Sequence, residues 1–403
     1  MAHYSRGNFA LAEVICRDIL DVAPNFAGAF NLIGAIAAQL GLRDEAIRYF
    51  TEALQHAPDY AGARDNLALA KAMKAPELSR GERFLLIKAW GAGFWSDVSS
   101  VLGALLLAEI TGRIPVTHWG ANSLFGEDSA SDAFGHYFEP LSAFDIDALK
   151  AMKASTFFPP KWSADNLGSD NIAKWQGIGS RMGGIYYLNR AESIAVVDYF
   201  IAAVTLLPWI PSSHSFSGET IDGVLRLLAE KYLKPRMRIV GEVDKFYHRH
   251  IAGHPTIAVH VRGSDKGTEI VGLDALNRSY FDILDAEDPA FQLFLLTDDA
   301  RWAAAFKERY GNRVIMTESE RTDGNRALHA LAHEDRVRLG TEVMVDTYLA
   351  LRCDKFLGNG RSNVSAMSAI LKRWPEGSCA LVAPSLLHER DDLIYTSDFG
   401  ARR

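Results

Sequence analysis

The polar run His260–Glu269, HVRGSDKGTE, carries the richest set of chemically useful side chains in the sequence. Arg262 offers a planar fork of N–H donors, which suits a diphosphate. Lys266 adds a second positive charge, and the carboxylates of Asp265 and Glu269 can accept a proton from a reacting hydroxyl. The run therefore predicts a site for phosphate binding and acid–base chemistry, although a salt-bridged surface loop would have a similar composition.

Two further polar runs follow along the chain. The run LTDD contains Asp298 and Asp299, a pair of carboxylates that can bind ribose hydroxyls or a metal ion, or cap the next helix. The run GNGRSNVS contains Arg361, Ser362 and Asn363. Arginine, a hydroxyl and glycine-loop amides ahead of a helix favour a phosphate site. A helix capped by Ser362 or Asn363 explains the same residues.

A glycine-containing loop at residues 88–97, KAWGAGFWSD, is the fourth candidate. Gly91 and Gly93 predict a tight turn whose backbone N–H groups can hold an anion. Ser96 or Asp97 is the predicted N-cap of the helix that follows. The loop matches neither the dinucleotide fingerprint GxGxxG nor the P-loop, and an ordinary strand-to-helix turn would need the same glycines.

Each of these polar runs follows a short apolar stretch that predicts a β-strand. Apolar helices separate the strands, which is typical of a parallel, doubly wound sheet with its ligands at the carboxyl ends of the strands. The succession predicts two such α/β halves, at residues 83–245 and 250–395, with long loops over residues 122–184. The predicted strands are 84–90, 114–117, 257–261, 292–296, 313–316, 355–358 and 379–382, and the predicted helices are 98–111, 221–233, 300–310, 341–352 and 362–372.

Residues 1–77 show a different pattern, an internal repeat. Pro24 and Pro58 lie 34 residues apart, as do Gly7 and Gly41. This period, with small residues at matching positions, resembles the tetratricopeptide repeat and implies paired α-helices. The resemblance covers one truncated repeat, one complete repeat and one further helix. Such an arm can present a groove to a protein partner, or it can serve as a spacer or a dimer contact.

Composition limits the class of protein. The 403 residues are 48% apolar and 23% charged, which indicates two or three globular domains rather than a disordered or fibrous chain. The net charge of −7 disfavours nucleic acid as a partner. Cys16, Cys353 and Cys379 are far apart in the sequence, which favours a reducing compartment. Without a leader sequence or an apolar run of about 18 residues, we expect a cytoplasmic protein with no membrane span.

The runs HVRGSDKGTE and TDD, with Asp346 and the block Arg361-Ser362-Asn363, resemble fucosyltransferases that act on chitin-type or N-glycan core GlcNAc. That group contains the α-1,6-fucosyltransferases and the rhizobial nodulation fucosyltransferases, and the protein O-fucosyltransferases are more distant relatives. The resemblance implies a GT-B architecture: two Rossmann-like domains, the first on the acceptor side and the second binding the nucleotide sugar. It also implies GDP-fucose as the donor, inversion at the anomeric centre, and no metal ion or other cofactor.

The resemblance also implies roles for individual residues. Arg262 would bind the β-phosphate and stabilise the leaving GDP, while His260 and Asp346 would bind guanine. Ser362 would hold phosphate together with its helix start. The two glycines of the 88–97 loop would close over the diphosphate. Further nucleotide-sugar contacts would come from Asp265, Asp299, Arg361 and Asn363.

The acceptor hydroxyl needs a base. The resemblance assigns its activation to Lys266 and Glu269, and a carboxylate of the Asp298–Asp299 pair is the other candidate. This chain departs from the family in two ways, because Gly263 replaces a second arginine and one residue is missing after Lys266. The second departure leaves the position of Glu269 open.

Two other functions fit the sequence. The same fold can use another nucleotide sugar, for example GDP-mannose. An adaptor without catalytic activity, whose repeats bind a partner and whose transferase domain is degenerate, is the alternative from a different class. The acceptor, a glycan or a protein, is not determined by these residues.

Overall fold

The computed structural model describes residues 1–74, 81–128, 131–171, 183–263, 272–322 and 335–390. Within these ranges the chain forms a helical arm followed by two parallel β-sheets with helices around them. The polar runs of the sequence therefore have to be located relative to two sheets and one arm.

The arm consists of short helices, each packed against the next. Their turns repeat, because Gly7 and Gly41 both adopt the left-handed conformation, with φ of 77° and 74°. Gly34 is required for close packing, since a Cβ there would lie 2.7 Å from the ring of Phe50. The helices are α1 (Ala2–Ser5), α2 (Phe9–Val22), α3 (Ala27–Gln39), α4 (Arg43–His56) and α5 (Ala61–Ala72). The helical character of this segment is thus observed, and its assignment to tetratricopeptide repeats stays a prediction.

The arm is held against residues 186–209 by hydrogen bonds and by a shared apolar core. The hydroxyl of Tyr186 accepts a hydrogen bond from the N–H of Phe9 (2.9 Å), at the start of α2. Asn189 donates from Nδ2 to the carbonyl of Gly41 (3.1 Å), and Trp209 is buried in the apolar core of the arm. Because a stack of so few helices buries little surface alone, this shared core stabilises the arm.

The first sheet has the parallel strand order β2-β1-β4-β3. Its elements are β1 (Phe84–Lys88), α6 (Phe94–Thr111), β2 (Ile114–His118), α7 (Ile146–Ala151), β3 (Phe157–Phe158), β4 (Ile194–Val197), α8 (Ala203–Leu206), α9 (Ile221–Tyr232) and α10 (Met237–His250). The sequence did not predict β3, β4 or α10. Strands of two and four residues are too short to show a period, and only the sheet makes them recognisable.

Helix α6 is the central helix of this region and corrects one prediction. It begins at Phe94, with Gly93 as the N-cap, and not after Ser96 or Asp97. By length and composition its 18 residues could cross a membrane, but 83% of them are buried within the protein, as expected for a core helix. The helix ends at Thr111 and is followed by Gly112, whose φ of 62° is typical of a C-terminal cap.

The second sheet has the parallel order β7-β6-β5-β8-β9. Its elements are β5 (Thr256–Val261), α11 (Leu273–Asp285), β6 (Gln292–Thr297), α12 (Ala300–Tyr310), β7 (Val314–Ile315), α13 (Arg336–Ala350), β8 (Lys355–Gly358), α14 (Asn363–Leu371) and β9 (Cys379–Leu381). Every strand predicted in this region is present, and the two central ones, β5 and β6, are mainly apolar segments followed by polar residues.

The two sheets are joined through helices rather than through a shared edge. Helix α6 packs against α9 and α14, and one apolar core contains side chains from both regions. Trp95 donates from Nε1 to the hydroxyl of Thr347 on α13 (2.8 Å), inside this contact. The N-terminus of α6 is thereby held opposite the carboxyl ends of the second sheet.

Candidate active site

A cavity of about 350 Å³ lies between the carboxyl ends of the second sheet and the N-terminus of α6. Its size falls within the range of small-molecule sites, roughly 300–1,000 Å³. Predicted site residues that line it are Gly93, His260, Arg262, Asp298, Asp346, Ser362 and Asn363. Residues far apart in the sequence therefore converge on one cavity.

Arg262 and Asp298 form an ion pair at the ends of β5 and β6. The guanidinium of Arg262 donates to the Asp298 carboxylate, and both side chains are largely buried. The buried amide of Asn277 donates to the carbonyl of Arg262 (2.8 Å) and fixes the backbone there. The arginine is thus held at the cavity wall before any ligand arrives, which lowers the entropy cost of binding an anion.

Asp299, the second carboxylate of the predicted pair, lies outside the cavity. It caps α12, with Oδ1 accepting from the N–H of Arg301 (2.8 Å) and Oδ2 accepting from the guanidinium of Arg301 (2.6 Å). Gly263 packs against it, and a Cβ at Gly263 would lie 2.3 Å from Asp299 Oδ2. The glycine that replaces the expected arginine is therefore required by local packing, and the helix-capping alternative is the observed role of Asp299.

His260 is buried and uncharged. Burial, and then the nearby charge of Arg262, lower the pKa of His260 to about 3. Its Nδ1 lies 2.6 Å from the hydroxyl of Ser365, which already accepts the N–H of Asn359 (3.0 Å). In the tautomer in which the Ser365 hydroxyl donates to Nδ1, Nε2 carries the ring hydrogen and is a donor.

Asp346, on the cavity-facing side of α13, has a raised pKa, whereas the pKa of His260 is lowered. Burial raises the pKa of Asp346 to about 6, although a hydrogen bond from Thr317 opposes the shift. That bond runs from the Thr317 hydroxyl to Oδ1 (2.6 Å). Near neutral pH the group is a partly buried carboxylate, which a ligand that offers N–H donors binds strongly.

Two carboxylates of the cavity wall were not predicted from the sequence. Glu342 and Glu320 both line the cavity, and Arg338 bridges them, donating to Glu342 (2.6 Å) and to Glu320 (2.8 Å). Arg338, Glu342 and Asp346 follow one another at intervals of four residues. On a helix such residues share one face, so this spacing was the signal that could have revealed Glu342.

Two helix N-termini also face the cavity, those of α6 and α14. Gly93, Phe94 and Trp95 line it, whereas the N–H of Gly91 bonds to the side chain of Asp97 and Gly91 lies outside the lining. Ser362 is the N-cap of α14, yet its hydroxyl makes no capping hydrogen bond. Helix N-termini carry partial positive charge, so both ends suit an anion.

The other predicted site residues are placed differently. Arg361 lies outside the cavity lining, and its guanidinium pairs with Glu389 at the surface. Asp265, Lys266 and Glu269 lie outside the described residues. Within the described ranges, no group of three His, Cys, Asp or Glu side chains is arranged to hold a metal ion.

No protein-family model matches the chain, and no curated protein matches it by sequence. Solved structures do. Fucosyltransferase NodZ from Bradyrhizobium matches with a TM-score of 0.50 and 21% identity, over 72% of this chain and 94% of that one. NodZ α-1,6-fucosyltransferase soaked with GDP-fucose matches with a TM-score of 0.49 and 21% identity, over 72% and 93%. FUT1 of Arabidopsis thaliana in complex with GDP matches with a TM-score of 0.46 and 13% identity, over 83% and 79%.

The likeness to the Bradyrhizobium structure establishes the fold. The region after the arm is a mixed α/β structure with parallel sheets, of the GT-B-like kind seen in fucosyltransferases. This confirms the α/β part of the predicted fold class.

Proposed function

We propose that this chain is a glycosyltransferase that moves fucose from GDP-fucose to a glycan or protein acceptor, with inversion and without a metal ion. The observation that carries the proposal is the cavity itself. It combines Arg262 and two helix N-termini, which suit a diphosphate, with the carboxylate of Asp346, which suits a base bearing N–H donors. The fold shared with NodZ, which is named a fucosyltransferase, supports the same assignment.

The nucleoside would be recognised by Asp346 and His260. Guanine presents two adjacent N–H donors beside a carbonyl, and Asp346 as a carboxylate can accept from both. In the tautomer whose Nδ1 accepts from Ser365, the Nε2–H of His260 would donate to a guanine acceptor. Adenine lacks this pair of adjacent donors, so the arrangement favours a guanine nucleotide.

The diphosphate would be held by Arg262 and by the N-termini of α6 and α14, with the free hydroxyl of Ser362 at the second of these. These groups stabilise negative charge without relying on solvent, which is the main requirement for a departing nucleoside diphosphate. On phosphate binding, Arg262 would share its guanidinium between the ligand and Asp298.

The transfer would be a single in-line displacement. The acceptor hydroxyl oxygen forms a bond to the anomeric carbon, and the bond from that carbon to the β-phosphate oxygen breaks, its electron pair leaving with GDP. The hydroxyl proton goes to a carboxylate. Asp298 lines the cavity and is a candidate, as is Glu269, whereas both oxygens of Asp299 are occupied by Arg301.

The arm would serve the acceptor side. It is fastened beside the first sheet, the region that the family resemblance assigns to the acceptor, so we propose that it presents a protein partner or protein acceptor there.

All three cysteines are unpaired, which fits a reducing, cytoplasmic compartment.

A ligand panel tests the proposal. The melting temperature of the full chain is measured with GDP, GDP-fucose, GDP-mannose and UDP, with and without EDTA, together with GDP release from GDP-fucose. A ligand that binds only the folded state raises the melting temperature. Stabilisation by GDP and GDP-fucose that survives EDTA supports the proposal. Preference for GDP-mannose would indicate another donor, and stabilisation by none of them would support the adaptor alternative.

A further inference from the structure

Asp97 occupies an unexpected position in the loop that precedes α6. It lies in the first turn of that helix, 1% exposed, rather than at the N-cap. Its carboxylate folds back over the loop. Oδ2 accepts the N–H of Gly91 (3.2 Å) and Oδ1 accepts the N–H of Ala92 (3.2 Å).

This contact sorts the backbone amides of the loop into two groups. Those of Gly91 and Ala92 are directed at Asp97. Gly93, Phe94 and Trp95 line the cavity, as Ala92 also does, but their amides differ from that of Ala92 because no described residue accepts a hydrogen bond from them. The amides of a first helical turn project from the end of the helix, so this second group is available to an anion in the cavity.

Trp90, at the start of the loop, packs edge-on against Tyr199, and the residues after it, Gly91, Ala92 and Gly93, have small side chains or none. Gly91 has a φ of 88°, and glycine adopts many other backbone conformations as readily. The intrinsic conformational preference of Gly91 therefore does not fix the orientation of the neighbouring peptide planes. Two charge-assisted hydrogen bonds from one buried carboxylate do fix it.

We infer that Asp97 is a positioning residue of the donor site: it holds the 90–93 loop so that the amides of Gly93, Phe94 and Trp95 face a diphosphate. The inference deepens the proposed function and rests on it for the identity of the nucleotide. Asp97 acts through the backbone and does not itself touch the ligand.

The test compares Asp97→Asn with the wild type. Asparagine retains one acceptor oxygen, but its NH₂ group faces the second amide. Asp44→Asn is the matched control, since Asp44 is an exposed acid in the first turn of α4. Affinities for GDP, guanosine and inorganic pyrophosphate are measured by calorimetry, with melting temperatures for each variant.

We expect Asp97→Asn to weaken GDP and pyrophosphate binding by about tenfold, the scale of one lost charged hydrogen bond, while guanosine binding stays unchanged. Equal losses for GDP and guanosine, or an unchanged GDP affinity in the folded variant, would overturn the inference. The control should match the wild type.

A measurement on the wild type covers the case in which the variant does not fold. Hydrogen exchange should show the amides of Gly91 and Ala92 protected without ligand, and those of Phe94 and Trp95 protected only once GDP or pyrophosphate is added. The reverse order would refute the role of Asp97. Binding of pyrophosphate but not of GDP would contradict the proposed donor and leave the positioning role standing, and binding of neither would contradict both.

Discussion

The carboxyl ends of the two sheets carry similar residues in different surroundings. At the second sheet, Arg262 and Asp298 face an open cavity. At the first sheet, Lys88, His118 and Asp198 end or follow strands β1, β2 and β4, and all three side chains are buried. Both edges have the topology that places ligands at strand ends, yet among the described residues only strands of the second sheet line the cavity, and the first sheet contributes the loop after β1.

Two lysines at the buried edge have internal partners, whereas the ring nitrogens of His118 make no hydrogen bond to a described residue. Lys161 pairs with Asp198 (2.5 Å), and Lys88 donates from Nζ to the carbonyl of Leu167 (2.6 Å). Burial lowers the pKa of Lys88 to about 8, and burial together with Lys88 lowers the pKa of His118. The comparison shows that charged residues at a strand end become a binding site only where packing leaves space, and otherwise they become part of the core.

The sharpest test of the comparison replaces one arginine in the cavity and one beside it. Arg262→Ala should reduce transfer by about a thousandfold, because the leaving diphosphate loses its principal charge partner. Arg361→Ala should leave transfer near the wild-type rate, since Arg361 pairs with Glu389 outside the cavity. The rate of GDP release from GDP-fucose is measured for both variants. Undiminished turnover of Arg262→Ala would contradict the proposed function.

The buried edge should respond in stability rather than in binding. Asp198→Ala removes the carboxylate that pairs with the buried charge of Lys161 and should lower the free energy of unfolding by about 3 kcal/mol. GDP affinity should not change. Asp147→Ala removes an exposed carboxylate from α7 and is the control. Chemical denaturation and calorimetry give the two quantities, and a loss of GDP affinity in folded Asp198→Ala would mean that the first edge also contributes to the site.

The raised pKa of Asp346 predicts a pH dependence. GDP needs the carboxylate, so its affinity should rise as pH increases through about 6 and fall by up to about tenfold per unit below it. Stability should change in the opposite direction. The folded pKa exceeds the ordinary value of 3.8, so the contribution of Asp346 to stability is present below pH 3.8 and lost as pH rises through about 6.

Asp346→Asn should abolish both trends, since asparagine does not titrate, and should weaken GDP binding near neutral pH. Calorimetric titrations between pH 5 and 8 test this. A variant that keeps the wild-type pH profile would show that another group is responsible.

The smallest expected effect distinguishes the roles of two helix N-cap residues, Ser362 and Thr220. Ser362→Ala should weaken GDP binding by a few-fold, about 1 kcal/mol, with little change in melting temperature, because the hydroxyl makes no capping bond. Thr220→Ala should do the reverse, since the Thr220 hydroxyl accepts the N–H of Gly223 (3.1 Å) at the start of α9, a bond worth about 1 kcal/mol of stability. If both variants lose only stability, Ser362 is an ordinary cap.

Much of the second sheet could be predicted from the sequence, and much of the first could not. Strands β5 and β6 are six-residue, mostly buried segments followed by polar residues, a pattern visible without any tertiary contact. Strands β3 and β4 are defined by their neighbours in the sheet. Glu320 was also invisible as a site residue, because its approach to Glu342 depends on how the chain after β7 packs on α13.

The sequence by itself determined which side chains follow which strands, since the period of apolar residues and the polar runs after them are local properties. Only the tertiary structure decided what those side chains do. Asp298 lines the cavity while its neighbour Asp299 caps a helix, and Asp97 holds a loop rather than a helix end. Successive side chains on a strand or loop point in different directions, so a shift of one residue separates a group that meets the ligand from one that meets the core.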